Sequence, residues 1–234
     1  MSEKKNFRSK KEFVYQTLRQ QILNGELKPG IRLIIDELST QLKVSPIPVR
    51  EALQQLQSDG LVTIEPFIGA RVTEIDKGLI YEIFALLEVL EIISGQAACQ
   101  QMTEIDLAEM ELLLRRMDSY ADNPEKWSQG NIQLHQFICE RAGMSLVQEF
   151  FIRIGDHWDR LRRYYLEDVS ARRIPAAQRD HWQLLEALRT RNPAHVAEVI
   201  RSHNRNALAD YLAHLADTGQ LDPLAKDEPA LSSA

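Results

Sequence analysis

Val44-Ser45-Pro46-Ile47-Pro48-Val49-Arg50-Glu51-Ala52-Leu53 opens an amphipathic helix. Ser45 is a natural N-cap, Pro46 falls at the first helical position, and Pro48 still lies in the first turn, where a missing N–H costs little. Val49, Ala52, Leu53 and Leu56 then recur at three- and four-residue spacing and make one apolar face. Ile47, Arg50 and Gln54 are left on another. Gly60 stands where a helix ends on a left-handed residue. A helix that exposes its first turn, with an Arg beside it, fits a DNA major groove, where a guanidinium meets guanine acceptors or phosphates. The candidate contacts are Ser45, Pro46, Ile47, Pro48, Arg50 and Gln54. The plainer alternative is an amphipathic helix whose outer face meets only water.

The flanking residues favour the first reading. Leu38, Leu42 and Val44 suit a short helix, about 36–43, packed across the one just described. Leu61-Val62-Thr63-Ile64 and Ala70-Arg71-Val72-Thr73 are β-prone runs around Pro66-Phe67-Ile68-Gly69, which predicts a hairpin. That hairpin is the wing of a winged helix-turn-helix, with Gly69 and Arg71 placed to reach flanking DNA. Leu38-Ser39, Val44-Ser45, Pro48 to Leu53, Asp59-Gly60-Leu61-Val62 and Gly69-Ala70-Arg71-Val72 resemble the N-terminal domain of GntR-family transcription regulators. The resemblance covers roughly residues 12–74. Many members carry Arg where this chain has Pro46, so part of the usual base-reading set is replaced.

The chain of 234 residues has ordinary hydrophobic (44%) and charged (26%) content, enough for one or two packed domains. Its two cysteines, Cys99 and Cys139, make no disulfide framework and, with no signal-peptide pattern, point to a reducing cytoplasm. The most apolar segment, 80–93, is interrupted by Glu82, Glu88 and Glu91, which excludes a membrane span. The net charge of −6 is unevenly shared. Residues 1–75 hold 11 Lys/Arg against 9 Asp/Glu (+2), and the rest hold 17 against 25 (−8). The first part suits nucleic acid, the second does not, and a surplus of two predicts that paired copies are needed for firm binding.

In order, residues 1–11 form a flexible basic start, a solvated tail or an arm to phosphates. Helix one is expected over 12–23, and the winged helix-turn-helix fills 12–75. Past the hinge at Ile75-Asp76-Lys77-Gly78, six helices are expected over 79–101, 103–121, 125–142, 144–168, 175–190 and 193–217, with Asn123-Pro124, Gly143 and Asn192-Pro193 as breaks. Residues 218–234 are polar and Pro-containing, and are expected to be disordered. The fold class is therefore mainly α, a winged helix-turn-helix followed by an all-helical bundle over 76–217. Such a bundle resembles the FCD effector domain of the FadR subgroup, which extends the resemblance to roughly residues 12–215.

Among six histidines, His135, His181 and His203 lie on three different expected helices and are placed to converge in a bundle core. On spacing alone the bland reading, unrelated histidines, comes first. The resemblance adds more. FCD domains commonly bind a divalent metal through an Asp, a His one turn later, and two further His on the last two helices. Asn131, His135, His181 and His203 stand at those places. Asn131 replaces the usual Asp, which removes a charge, weakens binding and moves selectivity toward softer imidazole-preferring ions; the candidate ions are Zn, Ni and Mn. Cys139, one turn past His135, reads as a small buried residue. His157, His195 and His214 have no spaced partners.

The segment Tyr81 to Glu88 resembles the opening of an FCD effector helix, where Arg commonly stands four residues before the Glu and pairs an acidic ligand. Here that position is Phe84, which implies a less polar effector, or one that contacts the metal alone, unless another Arg, Arg153 or Arg160, takes over. Phe84 and Arg160 are the candidate effector contacts. The function implied is a cytoplasmic, dimeric, ligand-responsive regulator, in keeping with a repressor, whose partners are an operator inverted repeat in double-stranded DNA and a small molecule. Two other readings stand beside it: a helical metallohydrolase and an architectural DNA binder without effector. Against the enzyme, no His-Glu-x-x-His run, nucleophile elbow or phosphate loop occurs, and no carboxylate is seen beside the histidines as a base.

Overall fold

The computed structural model describes residues 9–218. The expected tails therefore lie outside the described residues, except that Ser9 caps the first helix, Lys10 and Lys11 belong to it, and Thr218 caps the last one. The chain divides between Ile75 and Asp76 into two compact units.

The first unit holds α1 (Lys10–Leu23), β1 (Arg32–Leu33), α2 (Ile35–Leu42), α3 (Pro46–Ser58), β2 (Val62–Glu65) and β3 (Gly69–Val72). Ser9 caps α1 by accepting from the Glu12 N–H at 3.1 Å, which starts the helix two residues before the expected Glu12. Val14, Leu18 and Ile22 of α1 meet Val49, Ala52, Leu53 and Leu56 of α3 in one core. Each such fully buried Val, Leu or Ile contributes about 1.5–3 kcal/mol. The Tyr15 hydroxyl donates to Asp59 at 2.7 Å and ties α1 to the end of α3. Gly60, at φ +76°, then turns the chain with the Leu61 N–H bonded back to the Leu56 carbonyl.

The hairpin of β2 and β3 is the expected wing, with Glu65 paired to Gly69 around the tip. It has a third strand that sequence reading misses. Arg32-Leu33 pairs antiparallel with Arg71-Ala70, so β3 lies centrally in the order β1-β3-β2. Two residues are too short for the alternation by which strands are recognised.

The second unit is all-helical: α4 (Lys77–Gln101), α5 (Glu104–Asp118), α6 (Pro124–Arg141), α7 (Ser145–Tyr165), α8 (Glu167–Arg189) and α9 (Pro193–Asp217). Side-chain caps at Asp76, Thr103, Asn123 and Asn192 start four of these helices. α4 runs through the unit against α6, α7 and α9. Gly95 allows α9 to approach closely, because a Cβ there would collide with Ile200 Cδ1. Among the described residues, no helix is long and apolar enough to cross a membrane.

α8 departs from expectation. It begins at Glu167, and Pro175 lies inside it, not at its start. Pro is common in a helix's first turn, which is why sequence alone suggests a beginning there. Glu167 to Ile174 contain no breaker, however, and the helix runs through Pro175 with one backbone donor missing.

Candidate functional site

On α3, Ser45 holds the N-cap position in extended conformation, although its side chain makes no capping bond. Ser45, Pro46, Ile47, Arg50 and Gln54 lie toward solvent, with Ile47 at 70% exposure. Pro48 does not. It is buried with Val49 because it lies one turn before Ala52 on the core-facing stripe, so the expectation that it contacts DNA is corrected. Gly69 and Arg71 are exposed on the wing. Arg32, unnoticed in the sequence, is exposed directly across from Arg71 and donates from Nη2 to the Ile68 carbonyl at 2.7 Å. Two exposed arginines thus occupy paired positions on one face of the sheet, an arrangement that suits phosphate. Phe67 at the tip is fully exposed with φ +65°.

In the helical unit, His135 of α6, His181 of α8 and His203 of α9 converge, one ring nitrogen from each lying within 4.8 Å of the others. Their ring centroids are 4.9 to 5.6 Å apart. His181 is only 1% exposed and stacks on Trp127, and neither of its ring nitrogens has a hydrogen-bond partner. Burial pushes its pKa well below the ordinary value, with His203, His135 and Arg173 adding to the effect. It is therefore a neutral imidazole with its ligating lone pair available in a buried site.

The other two rings are held by carboxylates. Glu91 Oε1 of α4 lies 2.9 Å from His135 Nδ1, and Asp180 Oδ2 lies 3.2 Å from His203 Nδ1. Glu91 Oε2 also accepts from Asn204 Nδ2 at 2.6 Å. Burial raises the Glu91 carboxyl, but His135, His203 and Asn204 outweigh it and hold the pKa below the usual range. Burial likewise lowers His135, yet Glu91 prevails and its pKa is raised. Sequence reading sees no carboxylate beside these histidines. Folding brings Glu91 to His135 from 44 residues away, and Asp180 reaches past its neighbour His181 to His203.

The unpartnered, buried nitrogens of His181 beside two carboxylate-held imidazoles fit a divalent ion, since a buried polar atom without a partner loses its hydration uncompensated. Cys139 lies outside the cluster. Its Sγ is 3.4 Å from Ser94 Oγ, and burial raises its pKa, which keeps it a thiol.

His135 and His203 open onto a cavity of about 170 Å³ that Asn131, Glu91 and Phe84 also line, whereas His181 is not part of its lining. Phe84 packs edge-on to Trp158 at 5.4 Å and against Tyr211 at 5.7 Å, giving an aromatic wall. Arg160 does not line this cavity, contrary to expectation. Ile152, Gly155, Asp156, Asp159 and Arg162 form the facing stripe of α7, and Arg160 falls beyond its edge. Arg160 is fully buried, and burial pushes its pKa down to about 10. Arg153 is also absent from the lining and lies 3.9 Å from Glu149. Arg162 and Arg173 are the arginines present. Arg162 is committed to Asp159 and Glu125, whereas Arg173 pairs through Nη1 with Asp210 and leaves Nη2 buried without a partner.

Comparisons with known proteins agree with this division. Residues 10–72 match the bacterial regulatory proteins of the gntR family, and residues 82–206 match the FCD domain. The chain is 29% identical over 189 residues to the HTH-type transcriptional regulator McbR of Escherichia coli, covering 76% of this chain and 82% of that one. It is 24% identical to the HTH-type transcriptional repressor RspR of Escherichia coli, with 81% of this chain and 83% of that one covered. The solved structure of E. coli McbR/YncC superposes with a TM-score of 0.71 at 25% identity, over 88% of this chain and 98% of that one. With a winged helix-turn-helix in front and an FCD bundle behind, the chain belongs to the gntR family of bacterial regulatory proteins and is a DNA-binding transcriptional regulator of the GntR/FCD type.

Proposed function

We propose that the chain is a cytoplasmic repressor that binds an operator inverted repeat as a homodimer and responds to a small molecule held in its helical unit. The observation that carries the effector half is the cavity lined by His135 and His203, two of the three converging histidines. An architectural DNA binder has no use for a buried, unpartnered imidazole, which is costly to keep. A similar protein named as a repressor, RspR, supports the sign of the response. His135, His181 and His203 would hold one divalent ion (Zn, Ni or Mn), with Asn131 a weak or water-mediated fourth group. When bound, such an ion supplies a Lewis-acid anchor for an oxygen of the effector. A hydrolase reading is weaker, because the nearby carboxylates are turned to imidazole Nδ1 atoms and Asn204, leaving neither as a base. Contacts to DNA are assigned to Ser45, Pro46, Ile47, Arg50 and Gln54 of α3 and to Gly69 and Arg71 of the wing.

Phe84 sets the effector's character. Where an Arg would pair a second carboxylate, this chain offers a ring packed with two others. The effector is accordingly more apolar than a small hydroxy acid or dicarboxylate, with at most one acidic group facing the histidines and Arg173. In thermal-shift screening of matched carboxylates against less polar analogues, the analogues should bind more tightly and release the protein from its operator. Phe84→Ala should weaken their binding by about 0.5–1.5 kcal/mol if an aromatic effector stacks on this ring. Tight binding of a small dicarboxylate, indifferent to Phe84→Ala, would sink this reading.

A further inference from the structure

Resting on the reading that the three histidines hold a divalent ion, we propose that Glu91 is a positioning residue of that centre. It aims His135 at the ion and supplies, from behind the ligand, the negative charge that Asn131 withholds.

The geometry leaves Glu91 little freedom. One carboxylate oxygen is 2.9 Å from His135 Nδ1 and the other accepts from Asn204 Nδ2 at 2.6 Å, so both ends of the group are pinned. An ionised carboxylate only accepts, so the hydrogen sits on His135 Nδ1 and the lone pair on Nε2. Asp180 does the same for His203. Both rings therefore present Nε2, while His181 stays unconstrained by any hydrogen bond.

Charge gives the second argument. Three neutral imidazoles around a dication leave its charge uncompensated, and the side chain one turn before His135 is an amide. Glu91 and Asp180 each stand one imidazole away from the ion's place, outside the group of converging ligand atoms. An anion hydrogen-bonded to the far side of an imidazole raises its basicity as a ligand without using a coordination position. The centre thus keeps more open positions for water or effector than one with a carboxylate ligand. A purely structural Glu91–His135 pair would leave metal affinity alone.

Zinc affinity of the full chain, measured by chelator competition, separates the two. Glu91→Gln should weaken binding about 10- to 100-fold. Asn131→Asp should tighten it, and adding Asn131→Asp to Glu91→Gln should recover the loss. A folded Glu91→Gln protein that binds zinc as tightly as the unaltered chain overturns the proposal. Imidazole ¹⁵N spectra of the unaltered, zinc-loaded chain test it without any substitution. Retained Nδ1–H on His135 with zinc at Nε2 supports it, and zinc at His135 Nδ1 overturns it. Failure of the underlying reading looks different, because the unaltered chain would then take up no zinc, nickel or manganese.

Discussion

Replacing His181 with alanine is expected to abolish metal binding. Elemental analysis should fall from near one divalent ion per chain to none, and the rise in Tm on adding zinc, nickel or manganese should disappear. His181 dominates because it is already in its ligating form. Burial, and then the neighbouring His203 and His135, keep it neutral, so no proton has to leave before an ion arrives. Both of its ring nitrogens are unpartnered, and Trp127 holds the ring in place. An ion present at a hundred times its Kd stabilises the folded chain by about 2.7 kcal/mol, a shift easily read in a melting curve. Metal-free protein whose Tm ignores all three ions would refute the centre.

The second large effect is expected at Arg50. Arg50→Ala should cost about 1–3 kcal/mol in affinity for a selected operator at fixed salt, if the guanidinium grips a guanine bidentately. The residue is exposed on the face that α3 turns away from its core, beside Ile47 and Gln54. The salt dependence adds a check. Loss of a base contact leaves the slope of log K against log salt nearly unchanged, whereas loss of a phosphate contact lowers it by about one. Unchanged affinity removes Arg50 from base recognition. Because the first unit carries a surplus of only two positive charges in residues 1–75, two copies on a two-fold site are expected to be needed.

The N-terminal unit is readable because its signals are local. Ser45, Pro46 and Gly60 mark the ends of α3, and the apolar spacing between them fixes which face is buried. The same spacing rule, applied fully, also buries Pro48. Strand β1 escapes notice because pairing with β3 is a property of residues about 40 apart in sequence and leaves no mark on Arg32-Leu33 alone. The histidine centre is half legible. Family resemblance points to His135, His181 and His203, but nothing around Glu91 marks it as different from Glu82 or Glu88 on the same helix. Only the packing of α4 against α6 and α9 makes it a buried partner of His135 and Asn204. Arg160 stands out over Arg162 and Arg173 only while the rotation of α7 and the continuity of α8 are unknown, and packing sets both.

Pro175 divides α8 into two levers. Its ring denies the Ala171 carbonyl the donor that any other residue would provide, so the helix resists bending least at that point. Glu167, Ser170, Ala171, Arg173 and Ile174 of the cavity wall precede this joint, and Ala177 of the same wall follows it with Asp180 and His181. A bend there is the least costly way for the wall to fit occupants of different girth while the ring of His181 stays where Trp127 clamps it.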